Sequence, residues 1–365
     1  MSSPARTPLF DLHLELGARM VAFAGYEMPL RYPAGIIAEH RHCRSRAALF
    51  DVSHMGQLRI LGEDAAAALE GLVPADIRGL AVGRNRYTMF TNDAGGILDD
   101  LIAGREKEGL FLVVNAARKA ADIAHLKAAL EPACTVEPLE DRALLALQGP
   151  AAAEVLARLR PEVDELRFME SGWFELAGAR CRVARCGYTG EDGFEISVPA
   201  DAATELARAL LASEEVAPAG LGARDSLRLE AGLCLYGHDL DETTTPVEAG
   251  LAWTIGRRRR EEGGFPGAEV ILRQLREGAP RRLAGLRPEG RVPVREGAEI
   301  RLPGGAVIGR VTSGGFGPTV GGPVAMGYLD SAHEAPGTRL EVLVRGRAVP
   351  AEVARLPFVP HRYRR

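Results

Sequence analysis

The sequence predicts a multidomain α+β protein that ends in a small all-β domain. The chain has 365 residues, which exceeds a usual single hydrophobic core and suggests two or three domains. In the first half, helical stretches flank three strand-like runs, a combination typical of a compact α+β unit. Beyond residue 280 the helical pattern disappears, and six short strands alternate with Gly/Pro turns, which indicates a barrel or sandwich.

Composition and charge exclude several classes of protein. Hydrophobic residues make up 46% of the chain and charged residues 26%, as in a soluble globular protein. A net charge of −4 gives no general reason to expect nucleic-acid binding. No apolar segment approaches the ~20 residues of a membrane span, and the first residues lack the apolar core of a signal peptide. We therefore expect a cytoplasmic protein with no membrane or nucleic-acid partner.

The five cysteines do not predict a metal site or a disulfide framework. Their number is odd, their spacing is irregular and no CxxC pair occurs, so buried free thiols are expected. Residues 36–48 predict a helix that carries Cys43 beside histidines, and a packed thiol is a better interpretation there than a nucleophile. His54 follows Ser53, but no G-x-S-x-G motif is present, which disfavours a hydrolase.

Residues 87–115 predict a three-stranded antiparallel meander. Apolar runs at 87–90, 97–102 and 110–114 are separated by Asn/Asp/Gly-rich and Glu/Lys/Gly turns, as in consecutive β-hairpins. The middle strand carries Asp99 and Asp100. Because strand side chains alternate between faces, we expect Asp100 on the face of Leu98 and Asp99 on the opposite face.

This aspartate pair has two interpretations. If both faces of the strand are covered, burial raises a carboxyl pKa and creates a proton donor or acceptor near neutrality. Alternatively, one aspartate is exposed and the other accepts hydrogen bonds from loop amides. The pattern alone does not decide between them.

A second informative stretch lies at residues 181–199. Two strand-like runs flank a glycine-rich loop at 187–193, and Glu195 lies on the second run, on the face of Ser197. A glutamate there could accept two N–H hydrogen bonds from a heterocyclic ligand, or it could simply face solvent.

Arginines mark two further segments. Residues 220–232 predict a helix with Arg224 and Arg228 one turn apart, suited either to a carboxylate-bearing ligand or to a structural Arg–Asp network. Residues 257–260 form a run of four arginines, which is usually solvated but could dock an acidic partner. Residues 314–322 are glycine-rich but lack the Lys-Ser/Thr of a phosphate loop, so a β turn is expected.

Six motifs together resemble the aminomethyltransferase family, the T-proteins of the glycine cleavage system. They lie at residues 50–55 (FDVSHM), 90–102 (FTNDAGGILDDLI), 145–150 (LALQGP), 185–199 (RCGYTGEDGFEISVP), 222–232 (GARDSLRLEAG) and 245–248 (TPVE). The resemblance extends from residue 7 to residue 360 and rests on the order and spacing of the motifs.

The resemblance implies a fold and a reaction. Members have three lobes arranged like a cloverleaf around a channel for tetrahydrofolate, which is a co-substrate, and they need no metal. We expect a folate-binding region at 1–280 with two interleaved α+β lobes, one at about 52–140 and the other at 1–51 with 141–280, and a β-barrel domain at 281–365. The reaction moves the methylene carbon from the aminomethyl-lipoyl arm of H-protein to tetrahydrofolate and releases ammonia. A monomer is expected.

The resemblance also implies roles for particular residues. The second aspartate of the family's pair is essential and falls on Asp100. A pterin-binding glutamate falls on Glu195, an arginine suited to the glutamyl tail of folate falls on Arg224, and a C-terminal tyrosine contact falls on Tyr363. Three further positions resemble pocket-lining residues of the family, namely Met55, Tyr188 and Asn115.

Two related functions remain as alternatives. A folate-dependent demethylase would share the pocket but would not need lipoyl H-protein. A folate-binding iron–sulfur assembly factor would carry a Lys-Gly-Cys-Tyr-x-Gly-Gln-Glu segment, whereas residues 185–192 read RCGYTGED, which disfavours that protein. A flavin-linked relative would need a nucleotide-binding domain in front of this region.

Overall fold

Residues 3–51 form a small sheet, two helices and one strand of a second sheet. The structure is a computed structural model and describes residues 3–365. The elements are β1 (Ala5–Arg6), α1 (Phe10–Glu15), β2 (Arg19–Phe23), β3 (Tyr26–Arg31), α2 (Ile36–Ser45) and β4 (Ala47–Asp51). Strand β3 lies between β1 and β2. Helix α2 is shorter than predicted, because the backbone of Arg46 leaves the helical region and β4, whose five residues are all buried, starts at the next residue.

The predicted meander is present within a five-stranded sheet. This part of the chain contains β5 (Gly56–Leu61), α3 (Ala65–Glu70), β6 (Asn85–Thr91), β7 (Ile97–Glu106), β8 (Gly109–Val114), α4 (Lys119–Leu130) and β9 (Thr135–Pro138). The strand order is β6-β7-β8-β5-β9. Helices α3 and α4 cover one face of the sheet, where Leu69 and Leu126 pack against Leu58, Leu101 and Leu112.

A six-stranded sheet follows and takes up strand β4 from the start of the chain. The elements are β10 (Arg142–Gln148), α5 (Ala152–Leu159), β11 (Ser171–Leu176), β12 (Ala179–Ala184), β13 (Gly193–Pro199), α6 (Ala203–Leu211), β14 (Val216–Pro218) and α7 (Leu221–Glu230), with 3-10 turns at Pro161–Glu165 and Ala200–Ala202. The strand order is β11-β12-β13-β10-β4-β14. Strands on either side of residues 52–141 therefore pair with each other.

The four-arginine run forms part of a short helix that is bound to the end of α3 and the loop that follows it. A 3-10 turn at Ala252–Thr254 precedes α8 (Arg257–Glu262) and α9 (Ala268–Glu277). Arg258 lies 2.7 Å from Glu70 and 2.7 Å from Asp76, and Arg259 is buried. Arg257 stays exposed. Two of the four arginines thus serve internal packing.

The C-terminal region is a closed antiparallel barrel, as predicted. Its strands are β15 (Arg281–Pro288), β16 (Glu299–Arg301), β17 (Val307–Gly317), β18 (Gly322–Asp330), β19 (Arg339–Val344) and β20 (Arg347–Ala354), with a 3-10 turn at Ser331–His333. The order β15-β18-β17-β16-β19-β20 closes on itself, which removes exposed sheet edges. Of the glycine-rich segment 314–322, the first four residues continue β17, so the predicted turn is confined to residues 318–321.

The barrel and the C-terminal segment are attached to helix α7. The carboxylate of Glu230, the last residue of α7, accepts hydrogen bonds from the backbone N–H of Thr319 at 2.7 Å and of Val320 at 3.1 Å. The Glu230 carbonyl accepts from Val359 N at 3.0 Å, and Gly190 O accepts from Arg362 N at 2.8 Å. These bonds bring residues 359–363 next to the 187–193 loop. Within residues 3–365, no helix is long and apolar enough to cross a membrane.

Candidate active site

Asp100 lies in the middle of strand β7, and neighbouring strands hold both of its carboxylate oxygens. The antiparallel register pairs Asp100 with Met89 on β6 and Leu101 with Val114 on β8, so Asn115 is directly beside Asp100. Asn115 Nδ2 donates a hydrogen bond to Asp100 Oδ1 at 2.8 Å, and Tyr87 Oη donates to Asp100 Oδ2 at 2.8 Å. Two uncharged donors therefore orient this carboxyl.

Asp99 points to the opposite, covered face of the same strand. It is fully buried, and its Oδ2 accepts from Asn115 N at 3.1 Å while its Oδ1 accepts from Asn115 Nδ2 at 2.9 Å. Asp99 is thus the aspartate that accepts a hydrogen bond from a backbone amide, as the second interpretation predicted. Asp100 is partly buried rather than exposed, so its carboxyl is in poor solvent, as the first interpretation predicted.

Burial sets the protonation of Asp100. Loss of water around the carboxyl, together with the charge of Asp99, raises the pKa of Asp100 to about 7, although the bonds from Tyr87 and Asn115 oppose the shift. Burial also raises the pKa of Asp99. A carboxyl with a pKa close to neutrality can both accept and return a proton. Asp100 therefore has the protonation behaviour of a general acid–base group.

The turn between β6 and β7 fixes the position of the strand that carries Asp100. A side chain on Gly96 would place its Cβ only 1.8 Å from Glu242 O, so glycine is needed for this close approach. Asn92 Nδ2 donates to the same carbonyl at 3.0 Å, and Ile97 N donates to Asp241 O at 3.1 Å. The loop after α7 thereby holds the meander in place.

Glu195 lies on β13 at a cavity between the five-stranded and six-stranded sheets. Its neighbours in register are Ala184 on β12 and Ala146 on β10. Among the residues described, the only hydrogen bond to its carboxylate comes from the Cys186 thiol, with Sγ 3.7 Å from Oε2. Burial raises the pKa of Glu195, and the nearby Arg224 charge opposes this. Nonpolar side chains form most of the remaining lining, including Ile102, Phe111, Val113 and Leu144.

The two arginines of α7 have different environments. Arg228 is buried and bonds to Asp239 Oδ2 at 2.8 Å, to Asp225 Oδ1 at 2.9 Å and to Ser313 Oγ at 2.9 Å, so it belongs to the structural network that was one of the two interpretations. In contrast, the buried Nη1 of Arg224 has no hydrogen-bond partner among residues 3–365.

Arg224 is instead held by an aromatic ring. Its guanidinium carbon lies 4.9 Å from the centre of the Tyr188 ring, a cation–π distance. Burial lowers the pKa of Arg224, while the nearby Glu195 opposes the shift. Arg224 is therefore the α7 arginine available to a carboxylate-bearing ligand.

Tyr188 lies between Asp100 and Arg224. Its hydroxyl donates to Cys234 O, and burial raises its pKa, with a contribution from the charge of Asp100. Met55 is partly buried and packs with Phe50 and Val113, next to the strand end that carries Asn115. The structure thus brings Asp100, Asn115, Tyr188, Arg224 and Glu195 to one region of the molecule.

Tyr363 approaches this region from the C-terminal segment. Its ring stacks on the Phe168 ring, with centroids 4.1 Å apart. The centroid of the His361 ring lies 4.8 Å from that of Tyr363. Burial raises the pKa of Tyr363 to about 12, with a further contribution from Cys186, the residue that contacts Glu195. Tyr363 therefore lies beside the 187–193 loop, since the N–H of the preceding Arg362 donates to Gly190 O.

Two aromatic residues belong to the site but were not predicted. Tyr87 bonds Asp100, and Trp253 stacks on Tyr87 with ring centroids 5.8 Å apart and remains 66% exposed. The hairpin could have indicated the Tyr87 contact. Met89 on β6 is directly opposite Asp100, and Tyr87, two positions earlier on the same strand, shares the face of Met89 and lies diagonal to Asp100. Trp253 is about 150 residues from β7 in sequence, and no local pattern predicts that contact.

Other candidate groups take no part in a site of their own. All five cysteines are free and buried, as predicted. Ser53 Oγ bonds backbone atoms of Leu144 at 3.0 and 3.3 Å rather than His54, and burial lowers the pKa of His54 to about 4. Within residues 3–365 there is no group of three His, Cys, Asp or Glu side chains that could hold a metal ion.

Two family matches cover most of the chain. Residues 9–259 match the GCVT N-terminal domain, and residues 281–360 match the glycine cleavage T-protein C-terminal barrel domain. The second match coincides with the closed barrel, which starts at Arg281.

Curated relatives and a solved structure agree with these matches. The mitochondrial aminomethyltransferase of Canis lupus familiaris is 50% identical over 98% of this chain and 91% of its own length, and that of Dictyostelium discoideum is 45% identical over 99% and 94%. The crystal structure of glycine cleavage system aminomethyltransferase T from Bartonella henselae is 45% identical, covers both chains completely and has a TM-score of 0.95. The resemblance and the fold class predicted from the sequence are confirmed. The chain belongs to the aminomethyltransferase family of glycine cleavage T-proteins.

Proposed function

We propose that this protein transfers the methylene carbon of an aminomethyl group, carried on the lipoyl arm of an H-protein, to tetrahydrofolate. The reaction releases ammonia and yields 5,10-methylenetetrahydrofolate and the dihydrolipoyl arm. The observation that carries the proposal is the Asp100 carboxyl, which Asn115 and Tyr87 orient and whose pKa is raised to about 7, in a chain of this family.

The residues present fit tetrahydrofolate as the co-substrate. The pterin ring offers a 2-amino group and an adjacent ring N–H, which match the two oxygens of a carboxylate, and within residues 3–365 the only hydrogen bond to the Glu195 carboxylate comes from a thiol. The glutamyl tail is anionic, and the buried Nη1 of Arg224 has no partner among residues 3–365. Tyr188, Met55, Asn115 and Tyr363 are proposed to complete the pocket.

In this arrangement Asp100 is the catalytic residue. The transfer replaces one C–N and one C–S bond with bonds to two folate nitrogens, so protons must leave those nitrogens and reach the released ammonia and thiol. Asp100 orients the folate amine, stabilises positive charge on the transferred carbon and moves the proton. General acid–base help of this kind contributes roughly 10²–10⁴-fold, and alignment of the two substrates adds to it.

The decisive experiment supplies aminomethyl-loaded lipoyl H-protein and tetrahydrofolate, then measures methylenetetrahydrofolate and ammonia together. Formation of both products in equal amounts, abolished when H-protein is omitted, is the expected result. Folate binding without transfer would instead point to a demethylase or an assembly factor, neither of which the named relatives favour.

Location and assembly state stay predictions. The relatives cited above are named as mitochondrial proteins, which does not support the cytoplasmic location expected from the sequence. Cell fractionation of the native host tests that location. Light scattering during size-exclusion chromatography, with and without H-protein, tests the expected monomer.

A further inference from the structure

Behind the Asp100 carboxyl lies a buried pair of carboxyl groups that the reaction scheme does not use. Asp122 lies in the first turn of α4 and is 2% exposed, and Asp99 is 0% exposed. The two carboxyls are in hydrogen-bonding contact. Asp122 Oδ2 accepts no hydrogen bond from a donor among residues 3–365, so donors of the protein do not compensate for the burial of this oxygen.

A contact between two carboxyls requires a proton. Ionised carboxylates only accept hydrogen bonds, and two like charges in one buried site favour a state in which a single proton is shared. Burial, strengthened by the charge of Asp99, raises the pKa of Asp122 to about 9. The bond from Asp122 lowers the pKa of Asp99 against the effect of burial. Asp99 accepts two hydrogen bonds from Asn115, which stabilise its ionised form, whereas Asp122 Oδ2 has no donor among residues 3–365. The shared proton therefore resides on Asp122, which donates to Asp99.

The surrounding charges do not replace this proton. The titratable or charged groups near the pair come from β7, α4 and its preceding residue, and the loop after α7, namely Asp100, Arg118, His125 and Tyr236. Arg118 interacts with Glu242 at 3.4 Å and with the Tyr236 ring. Burial lowers the pKa of His125, so it stays neutral.

The pair is linked to Asp100 through one side chain. Asp99 receives both the backbone N–H and the Nδ2 of Asn115, and the same Nδ2 donates to Asp100 Oδ1 at 2.8 Å. We propose that Asp122 is a positioning residue for the transfer reaction: its carboxyl proton orients Asp99 so that Asp99 fixes Asn115, and Asn115 fixes Asp100. The role in transfer rests on the proposed function, whereas the proton-sharing pair does not.

Infrared spectroscopy of the ligand-free protein tests the pair directly. The carbonyl-stretch band of a protonated carboxyl is compared in the wild type, in Asp122→Asn and in Asp201→Asn, an exposed control. At about pH 8, where Asp100 is largely ionised, the wild type and the control are expected to share a band that Asp122→Asn lacks. The band should fade as the pH rises past 9, the approximate pKa of Asp122. Identical spectra for the wild type and Asp122→Asn would overturn the proposal, even if no transfer activity were found.

The pH dependence of turnover tests the positioning role. Loss of the Asp122 proton at alkaline pH should lower kcat in the wild type, and this alkaline limb should be absent in Asp122→Asn, whose amide donates at every pH. Asp122→Ala removes the donor, and a misplaced Asp100 should then lower kcat by up to about 10²-fold with little change in the KM for tetrahydrofolate. If Asp122→Ala does not fold, the pH profile of kcat for Asp122→Asn still tests the positioning role. An alkaline limb that persists in Asp122→Asn would refute the positioning role.

Discussion

The two ends of the candidate site differ in how far the protein itself satisfies their polar groups. At the Asp100 end, each carboxylate oxygen accepts a hydrogen bond at 2.8 Å from a neighbouring strand. At the other end, Arg224 Nη1 has no partner within residues 3–365 and Glu195 has only a thiol at 3.7 Å. A buried polar group without a partner costs free energy.

From this difference we expect the Asp100 end to carry out the chemistry and the Glu195 and Arg224 end to bind the ligand. Groups oriented before a ligand arrives need no reorganisation during the reaction, which suits Asp100. Groups that lack partners gain most when a ligand supplies them, which suits Glu195 and Arg224. The comparison predicts that substitutions at the first end change rates, whereas substitutions at the second end change affinity.

The largest effect is expected for Asp100→Asn. Asparagine keeps the size of the side chain but cannot move a proton, so turnover should fall by about 10²–10⁴-fold while folate affinity is nearly unchanged. Single-turnover transfer and calorimetric binding measure the two quantities. Asp93→Asn, in the exposed turn before β7, is the control. Wild-type turnover in Asp100→Asn would contradict the catalytic role.

Glu195→Ala is expected to act on binding. Hydrogen bonds to a charged group contribute about 1.5–3 kcal/mol each, so the Kd for tetrahydrofolate should rise by about 10- to 10²-fold, with a smaller effect on the rate at saturating folate. Calorimetry on this variant and on Glu175→Ala, an exposed control on β11, makes the test. An unaltered Kd would mean that the pterin assignment is wrong.

The two arginines of α7 sharpen the comparison. Arg224→Met should weaken folate binding by about tenfold without lowering the melting temperature, because the buried Nη1 has no hydrogen-bond partner among residues 3–365 and a methionine can still pack against the Tyr188 ring. Arg228→Met breaks buried bonds to Asp239 and Ser313 and should cost about 3–5 kcal/mol of unfolding free energy. Thermal unfolding with and without folate distinguishes them. Equal destabilisation by both substitutions would contradict the different roles proposed for Arg224 and Arg228.

The smallest effect is expected for Tyr87→Phe. The bond from Tyr87 lowers the pKa of Asp100, which burial raises to about 7, so its loss should raise that pKa further. If ionised Asp100 is the active form, the rate increases as pH rises through this pKa, and the rise should move to higher pH in the variant. A pH–rate profile measures the shift. A profile that moves to lower pH would contradict the sign of the Tyr87 contribution.

Local sequence patterns were sufficient to predict the meander and the barrel. Alternating apolar residues and turn-forming glycines determine which residues of β6, β7 and β8 face each other, and with them the positions of Asp100 and Asn115. The same reasoning predicted six strands after residue 280, all of which are present. Where it erred, at the end of α2 and at Gly314–Gly317, tertiary packing outweighed local preference.

The remaining features of the site depend on contacts between distant segments. The sequence could not separate Arg224 from Arg228, because their difference arises from Asp239 and Ser313, which come from a loop and the barrel. The stacking of Trp253 on Tyr87 and the contact of Asp122 with Asp99 are likewise set by how helices and loops pack on the sheet. Family resemblance supplied the roles proposed for single residues, which local patterns alone left open.

The pairing of β4 with β10 has a consequence for how the chain folds. It closes a loop of about 90 residues between them, and the entropic cost of such a loop grows only with the logarithm of its length, by about 0.6 kcal/mol for each doubling. The intervening segment carries its own five-stranded sheet and core, so it can become ordered through short-range contacts first. Its ordering shortens the effective loop, and the six-stranded sheet can then close around a segment that is already folded.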